Sequence, residues 1–169
     1  MGEIKIQKIG ITRLHTDAIV NAANSGLWAG SGVCGAIFRE AGHAELEAAC
    51  NKIGHCEEGE AVITPGFKLK AKYIIHAVGP RWSGGYRGEE QRLYSCYQSA
   101  LRLAEENGCT SIGFPLISAG IFGYPKREAW RVAIQSVRDY LNREAKGEMT
   151  VVFAVLEDAI LDMGMEELG

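Results

Sequence analysis

The sequence predicts one three-layer α/β/α domain with a mixed, mostly parallel central sheet of about six strands. Apolar runs that suit buried strands alternate along the chain with stretches of helical periodicity. Two such runs, at residues 59–66 and 72–78, follow each other without a helix between them, so the sheet cannot be purely parallel. The length of 169 residues and the hydrophobic content of 47% suit a single core. We therefore expect residues 1–169 to form one domain.

The first half of the chain supplies two strands and two helices. Residues 3–8 alternate apolar and polar side chains, which is typical of a half-buried strand near a sheet edge. Residues 17–22 form a short apolar run that suits a strand covered on both faces. Apolar residues then repeat at helical spacing over residues 33–41, where Gly42 ends the helix, and over residues 43–53. The predicted inward faces of these helices comprise Ala36, Ile37 and Ala41, and Leu46, Ala49, Cys50 and Ile53.

The strand pair leads into a loop and a third helix. Pro-Gly and Gly-Pro turns close the two strands at residues 59–66 and 72–78. Residues 82–90 are polar and rich in glycine, which indicates a surface loop. A helix is predicted over residues 93–107, and Gly108 ends it. Its inward face comprises Leu93, Tyr97, Ala100, Leu101 and Ala104.

The last third of the chain repeats the order strand, loop, helix. Residues 111–117 form a buried strand in which Pro115 indicates a bulge or a strand end. Pro125 suits the first turn of a helix that runs to about Arg143. The predicted core face of this helix comprises Ala129, Val132, Ala133, Ser136, Val137, Tyr140 and Leu141. A final strand and a short helix are predicted over residues 150–156 and 157–169.

Charge and composition exclude several classes of function. The net charge is −3 and the basic residues are scattered, so the footprint of a dedicated nucleic-acid binder is missing. No apolar run approaches the roughly 20 residues that cross a bilayer, and the chain does not start with a segment of signal-peptide type. The five cysteines are an odd number without a CxxC pair, which argues against a disulfide framework and a zinc site. We expect a cytoplasmic monomer that uses no metal or cofactor and binds no membrane.

The most distinctive stretch is NAANSGLWAGSGVCGAI, at residues 21–37. Its glycines allow positive φ angles and let the backbone approach a ligand closely. Because a strand precedes this stretch and a helix follows it, backbone N–H groups would point at an anion, as in a phosphate-binding loop. We interpret it as neither a Walker motif nor a GxGxxG dinucleotide fingerprint.

A second glycine-containing loop, SAGIFGYP at residues 118–125, also lies between a strand and a helix. Ile121 and Phe122 are unusual in a tight turn, because exposed apolar residues generally pack on something. This composition favours a ligand over an ordinary turn. In open α/β sheets ligands bind beyond the carboxyl ends of the strands, so both loops could converge on one crevice. Two phosphate-binding loops at one crevice suggest that the ligand carries a diphosphate.

Polar side chains near the first loop have two interpretations each. Asn21 and Asn24 could hold a ribose hydroxyl, because an amide both donates and accepts, or they could cap turns. His76 lies inside an apolar strand and is interpreted as a core histidine rather than as a base. His15, His43 and His55 are assigned no chemistry. Cys34 stands apart from the other cysteines because it lies in the first loop region.

Three segments together resemble the macro domain family. They read DAIVNAANSGLWAGSGVCGAIFREAG, GEAVITPGFKLKAKYIIHAVGP and FPLISAGIFGYP. The resemblance extends from about Ile4 to about Leu156 and is closest to the bacterial branch of O-acetyl-ADP-ribose deacetylases and mono-ADP-ribosyl hydrolases. It implies a mixed sheet between two helical layers and a site for ADP-ribose or O-acetyl-ADP-ribose. It also implies ADP-ribosylated proteins as possible partners.

The resemblance also implies roles for particular residues. Asn24 would contact the distal ribose, which bears the group to be removed, and Cys34 would occupy the catalytic position. Asn21, Ile11 and Leu156 would complete the ligand site. The residues implied to wrap the diphosphate and the distal ribose are Gly30, Ser31, Gly32 and Val33 in the first loop, and Ser118, Ala119, Gly120, Ile121 and Phe122 in the second.

The chain departs from the family pattern at four positions, one of which is Phe38, where the family has a histidine. Gly10 replaces an aspartate that accepts from the adenine amino group, and Leu156 replaces a stacking aromatic residue. Cys34 replaces the catalytic aspartate, and loss of an orienting or general-base group lowers a rate by about 10²–10⁴. Three interpretations follow for Cys34: a neutral change in a binding-only domain, a slower hydrolase, or a thiolate with its own role. A third function, a different ligand altogether, is favoured by Gly10 and Leu156.

Overall fold

The structure, a computed structural model, describes residues 2–169 and contains one six-stranded sheet. The strands are β1 (Gly2–Lys8), β2 (Ala18–Ala23), β3 (Ala61–Pro65), β4 (Tyr73–Val78), β5 (Ser111–Phe114) and β6 (Met149–Val155). Their order across the sheet is β1-β6-β5-β2-β4-β3. All neighbouring strands are parallel except β3 and β4, which are antiparallel. The prediction of a mixed, mostly parallel six-stranded sheet is confirmed.

Five α-helices cover the two faces of this sheet. They are α1 (Gly32–Ala41), α2 (His43–Ile53), α3 (Glu89–Glu106), α4 (Lys126–Arg143) and α5 (Asp158–Leu168), and a short 3-10 helix spans Ile11–Arg13. Consecutive strand residues point to opposite faces, so Ile74 packs with the α1 and α2 layer while Ile75 packs with the α3, α4 and α5 layer. The predicted three-layer α/β/α architecture is confirmed.

The sheet topology brings several loops to one edge. β2 is parallel to both of its neighbours, β4 and β5. The carboxyl ends of parallel strands meet at the same edge, so the segments that follow β2, β4 and β5 emerge side by side. These segments are the first loop (residues 24–31), the β4–α3 loop (residues 79–88) and the second loop (residues 118–124). The fold therefore places both predicted ligand loops on adjacent strands.

Most element predictions are confirmed, and the exceptions have local causes. β5 ends at Phe114, directly before Pro115, because proline cannot donate to the sheet. The α3 helix begins at Glu89, four residues before the predicted start, because the Glu89 side chain caps its own loop. In α2, Ile53 is wrongly predicted to face the core; it is 39% exposed in the last turn. Ala36 in α1 is only half-buried.

Ala49 in α2 is likewise only half-buried, and the remaining core predictions agree with the observed packing. Every predicted core residue of α3 and α4 is buried, and all five cysteines are buried and free. Within residues 2–169, no helix is long and apolar enough to cross a membrane.

Candidate functional site

The first loop is organised around the backbone of Trp28. The Asn24 oxygen Oδ1 accepts the Trp28 N–H at 2.9 Å, and Asn24 Nδ2 donates to the Trp28 carbonyl at 2.9 Å. The Cys34 thiol approaches the same carbonyl oxygen, with an Sγ to O distance of 3.6 Å. The two residues predicted to be catalytic therefore meet at one backbone carbonyl.

The N-terminus of α1 has backbone N–H groups that no side chain caps. Ser31 occupies the cap position, but its hydroxyl makes no capping hydrogen bond. The first N–H groups of a helix have no partner within the helix, so those of Gly32 and Val33 can donate to an anion. Gly32 has a φ of +59°, and a Cβ atom there would meet nothing within 4 Å. The space beside this helix terminus is open.

The glycine spacing of the first loop corrects one interpretation from the sequence. Gly30, Gly32 and Gly35 do have the GxGxxG spacing of a dinucleotide fingerprint. In that fingerprint the glycines form the turn directly after the strand, whereas here residues 24–29 separate the end of β2 from Gly30. A Cβ atom at Gly35 would lie 2.5 Å from the Gly30 carbonyl oxygen, so the loop folds tightly onto α1. The structure, and not the spacing, distinguishes this loop from the fingerprint.

The second loop begins with a strained serine. Ser118 has a φ of +68°, a left-handed conformation that costs a non-glycine residue about 1–2 kcal/mol. Its side chain is buried, and Oγ has no hydrogen-bond partner within residues 2–169. The loop closes through the Tyr124 N–H, which donates to the Ser118 carbonyl at 2.9 Å. Strain and an unpartnered hydroxyl together are typical of a ligand-binding segment.

The remaining residues of the second loop present backbone and apolar surface. Ala119 is buried, whereas Gly120 is exposed and has open space beside it. Ile121 is 78% exposed, and Phe122 is half-buried. The Phe122 carbonyl accepts the Trp82 N–H at 2.8 Å, which ties the second loop to the β4–α3 loop.

The β4–α3 loop is ordered by one buried carboxylate. Glu89 accepts N–H groups of Ser83 at 2.8 Å, Gly85 at 3.0 Å and Arg87 at 2.7 Å. Burial opposes the charge, but these N–H groups and that of Glu89 itself lower the pKa of the carboxyl to about 2. The sequence predicted only a surface loop here. A glutamate directly after a glycine-rich stretch, in the first turn of a helix, was the available signal.

Asn21 and His76 belong to a buried polar chain in the core. Asn21 Nδ2 lies 3.1 Å from His76 Nδ1, and His76 Nε2 lies 3.0 Å from Thr64 Oγ1. Since Thr64 Oγ1 donates to the Pro65 carbonyl at 3.2 Å, it is free to accept from Nε2, which assigns a neutral imidazole with its proton on Nε2. Burial lowers the His76 pKa to about 4. The interpretation of His76 as a core histidine is confirmed, and Asn21 is its partner.

Two of the residues implied to complete the ligand site, Ile11 and Leu156, differ in exposure. Ile11 is buried at the start of the 3-10 helix, with Gly10 at the cap position before it. Its side chain packs in the α1 and α2 layer, so a ligand could reach only its backbone. Leu156 directly follows β6 and is 68% exposed, so its side chain is accessible to a ligand.

A cavity of about 430 Å³ lies beside the second loop. Its walls come from the second loop, the N-terminal turn of α4 and Met163 of α5. Ala119 and Gly120 are the predicted ligand residues that line it. The first loop contributes no wall to this cavity.

The chemistry available at this edge is anion binding without a carboxylate. Neither residues 24–33 nor residues 118–124 contain an aspartate or a glutamate. Among residues 2–169, no group of three or more His, Cys, Asp and Glu side chains is placed to hold a metal ion. Backbone N–H groups, the Asn24 amide, the Ser25 and Ser31 hydroxyls and the Cys34 thiol are the polar groups of the first loop and the first turn of α1.

Comparison with known sequences decides the family. The sequence profile of the Macro domain family matches residues 20–133, which include both loops. The chain belongs to the macro domain family. A macro domain-containing protein of Chlorobaculum tepidum is 49% identical over 162 residues, 96% of this chain and 93% of that protein. The O-acetyl-ADP-ribose deacetylase of Salmonella gallinarum is 51% identical over 142 residues, 82% of this chain and 79% of that protein.

Solved macro domain structures share the fold. A variant of the Oceanobacillus iheyensis macrodomain with ADPR superposes with a TM-score of 0.89 at 38% identity, covering 96% of this chain and 90% of that chain. The Trypanosoma brucei macrodomain in complex with ADP-ribose gives a TM-score of 0.91 at 36% identity, covering 99% of this chain and 69% of that chain. The macro domain architecture therefore extends over almost the whole chain.

Proposed function

We propose that this macro domain binds ADP-ribose and hydrolyses O-acetyl-ADP-ribose or ADP-ribosyl esters on proteins, with catalysis weakened by Cys34. In this proposal it acts as a cytoplasmic monomer in the removal of mono-ADP-ribose. The observation that carries the proposal is the pair of anion-binding loops at the carboxyl ends of adjacent parallel strands. Relatives named O-acetyl-ADP-ribose deacetylase and macrodomain structures with ADP-ribose support it.

The diphosphate is assigned to the two loops because both offer backbone donors. Residues 30–33 carry the uncapped N–H groups of α1, whose helix dipole favours negative charge. In the second loop, the unpartnered Ser118 hydroxyl and the exposed Gly120 backbone would complete the cradle. Leu156 would pack against the adenine, and the Ile11 backbone would face it. Asn21 would act from within the core, where its hydrogen bond to His76 joins β2 to β4 below the two loops.

The reacting centre is assigned to the turn of residues 24–28, called the Trp28 turn below. Asn24 uses one amide hydrogen and one lone pair for Trp28, which leaves a second N–H for the distal ribose. A water held between the ribose ester and the substrate phosphate would attack the acyl carbon, and the ribose hydroxyl would leave with a proton. Cys34 lies within reach of this turn, but its buried thiol already faces the Trp28 carbonyl and cannot replace a carboxylate as an acceptor. A low rate follows.

A non-catalytic ADP-ribose-binding module is the second candidate function. The absence of any carboxylate from both loops favours it, because the anion-binding groups are present and the general base is not. The two functions differ in turnover and not in affinity.

The test compares the wild-type protein with Cys34→Asp, Cys34→Asn and Asn24→Ala. Calorimetric titration with ADP-ribose measures binding, and release of acetate from O-acetyl-ADP-ribose measures turnover. Cys34→Asp places a carboxylate in the first turn of α1, where the helix dipole favours it, and turnover is expected to rise about 10²–10⁴-fold. Cys34→Asn has a similar shape without the charge and should leave turnover low. Asn24→Ala should lower both binding and turnover.

Each outcome selects one function. Slow wild-type turnover that Cys34→Asp accelerates supports the weakened hydrolase. Binding with turnover only in Cys34→Asp supports the binding module. If the wild-type protein does not bind ADP-ribose, both candidates are wrong, and a domain with a different ligand would explain Gly10 and Leu156.

A further inference from the structure

The β4–α3 loop is a rigid platform beside the second loop. The Glu89 carboxylate holds three of its N–H groups, and the Trp82 ring packs on Tyr124 with ring centroids 4.7 Å apart. A Cβ atom at Gly85 would lie 2.8 Å from the Trp82 ring, so the loop is folded onto that ring. A loop fixed in this way loses little conformational entropy when a partner binds.

The platform exposes two arginines that no carboxylate neutralises. The Arg81 guanidinium lies over the Phe122 ring, 4.6 Å from its centroid. Arg81 and Arg87 are both exposed, and within residues 2–169 neither forms an ion pair. Tyr86 lies between them in the sequence and is 95% exposed.

The acidic side chains nearest in sequence to the platform have other partners. Glu90 forms an ion pair with Arg131 at 2.7 Å, and the Glu89 carboxylate accepts hydrogen bonds from backbone N–H groups. Glu89 keeps its negative charge but is buried, so the exposed charged side chains of residues 79–88 are the two arginines, on a protein whose net charge is −3. Such a local surface is suited to an anionic partner.

We propose that the β4–α3 loop binds an acidic peptide segment of an ADP-ribosylated protein. Arg81 and Arg87 pair with carboxylates that flank the modified residue, and Tyr86 packs on the peptide backbone. The inference rests on the proposed function, because it requires ADP-ribose in the two loops. Contact between Arg81 and Phe122 places the platform beside the second loop, which the family resemblance implies to wrap the diphosphate and the distal ribose.

Two arginines on a short loop fit a peptide better than a nucleic acid. A nucleic-acid site needs a basic surface that follows the phosphate backbone over many charges. Here the two unpaired arginines lie on one short loop, and the platform carries an exposed tyrosine of the kind enriched at protein interfaces. Preferential binding of a nucleic acid is therefore one of the outcomes that the experiment distinguishes.

The experiment measures binding and turnover of two peptides that each carry one ADP-ribosylated glutamate. One peptide has aspartates and glutamates around the modified residue, and the other has asparagines and glutamines. The wild-type protein is compared with the double variant Arg81→Gln/Arg87→Gln, which removes both positive charges. Arg143→Ala serves as a matched control, because Arg143 is exposed at the opposite end of α4 and forms no ion pair among residues 2–169.

The wild-type protein is expected to prefer the acidic peptide by about tenfold, since each exposed ion pair contributes up to about 1 kcal/mol. The double variant should lose most of this preference, and 0.5 M salt should reduce it in the wild-type protein. Arg143→Ala should retain it. Equal affinity for both peptides, or stronger competition by single-stranded DNA than by an acidic peptide, would overturn the inference. Failure of free ADP-ribose to bind would instead overturn the proposed function, and the inference with it.

Discussion

Two glycines in the first turn of α1 are constrained in opposite ways. Gly32 has open space beside it and a positive φ angle, whereas Gly35 lies against the Gly30 carbonyl oxygen. Glycine is favoured at position 32 because of the positive φ angle there. Glycine is favoured at position 35 because a Cβ atom would collide with the Gly30 carbonyl oxygen. At the residue scale, the shape of the anion site therefore depends on the lack of a Cβ atom at Gly35.

Substitution of Gly35 by alanine tests this dependence. The new Cβ atom would lie 2.5 Å from a backbone oxygen, which cannot rotate away, so the first loop must move. We expect the free energy of unfolding to fall by about 1–3 kcal/mol. We also expect the affinity for ADP-ribose to fall about tenfold, the equivalent of 1.4 kcal/mol. Urea unfolding and calorimetry measure the two effects.

The control for this substitution is Gly147→Ala. A Cβ atom at Gly147 would meet nothing within 4 Å, and the residue lies in the loop before β6, far along the chain from both ligand loops. Its stability should change by less than about 0.5 kcal/mol. If Gly35→Ala behaves like this control, the close contact does not shape the loop.

At the scale of elements, α3 and its preceding loop act as one unit through Glu89. The carboxylate belongs to the first turn of the helix, and the N–H groups that it accepts belong to the loop. Because Glu89 has a pKa of about 2 in the folded protein and 4.5 in its ordinary state, its contribution to stability is present above pH 4.5. That contribution is lost as the pH falls from 4.5 to about 2.

Glu89→Gln should disconnect the loop from the helix. The amide keeps one acceptor oxygen but brings an NH₂ group against backbone N–H donors, so at least one of them loses its partner. We expect a lower melting temperature at pH 7 and faster amide exchange at Ser83, Gly85 and Arg87. The difference from the wild-type protein should shrink below pH 3. Unchanged exchange rates in the loop would show that Trp82 alone holds it.

The elements also show what the sequence could predict. The core face of α4 follows from helical periodicity, and the end of β5 follows from Pro115, because both depend on neighbours along the chain. The start of α3 was missed because Glu89 turns back onto the loop instead of facing solvent. For the candidate site, the two glycine loops were evident from composition. The contact between Arg81 and Phe122 was not, because it joins residues far apart in the chain.

At the scale of the whole molecule, the His76 chain links several elements in the centre of the domain. The imidazole lies on β4, Asn21 lies on β2 and Thr64 lies on β3. Its pKa is about 4 in the folded protein and 6.5 in its ordinary state, because burial disfavours the charged ring. The unfolded chain therefore binds a proton in this pH range that the folded protein does not.

The pH dependence of global stability should report this difference. The contribution of His76 is fully present above pH 6.5 and is lost as the pH falls towards 4, a change of about 3 kcal/mol. Urea unfolding at pH 7, 5.5 and 4 measures it. In His76→Gln, which does not titrate, the loss of stability between pH 6.5 and 4 should be smaller by about that amount. An equal loss in both proteins would mean that folding does not lower the His76 pKa.

The Trp28 turn gives the molecule a built-in optical reporter. Trp28 is 69% exposed, whereas Trp130 is fully buried and Trp82 is half-buried. Indole emission moves to longer wavelength in water, so the red edge of the intrinsic fluorescence belongs mainly to Trp28. Because the Trp28 carbonyl accepts from both Asn24 and Cys34, we expect ligand binding in the first loop to change that signal. Such a change would let ligand exchange be followed in real time on the unlabelled protein.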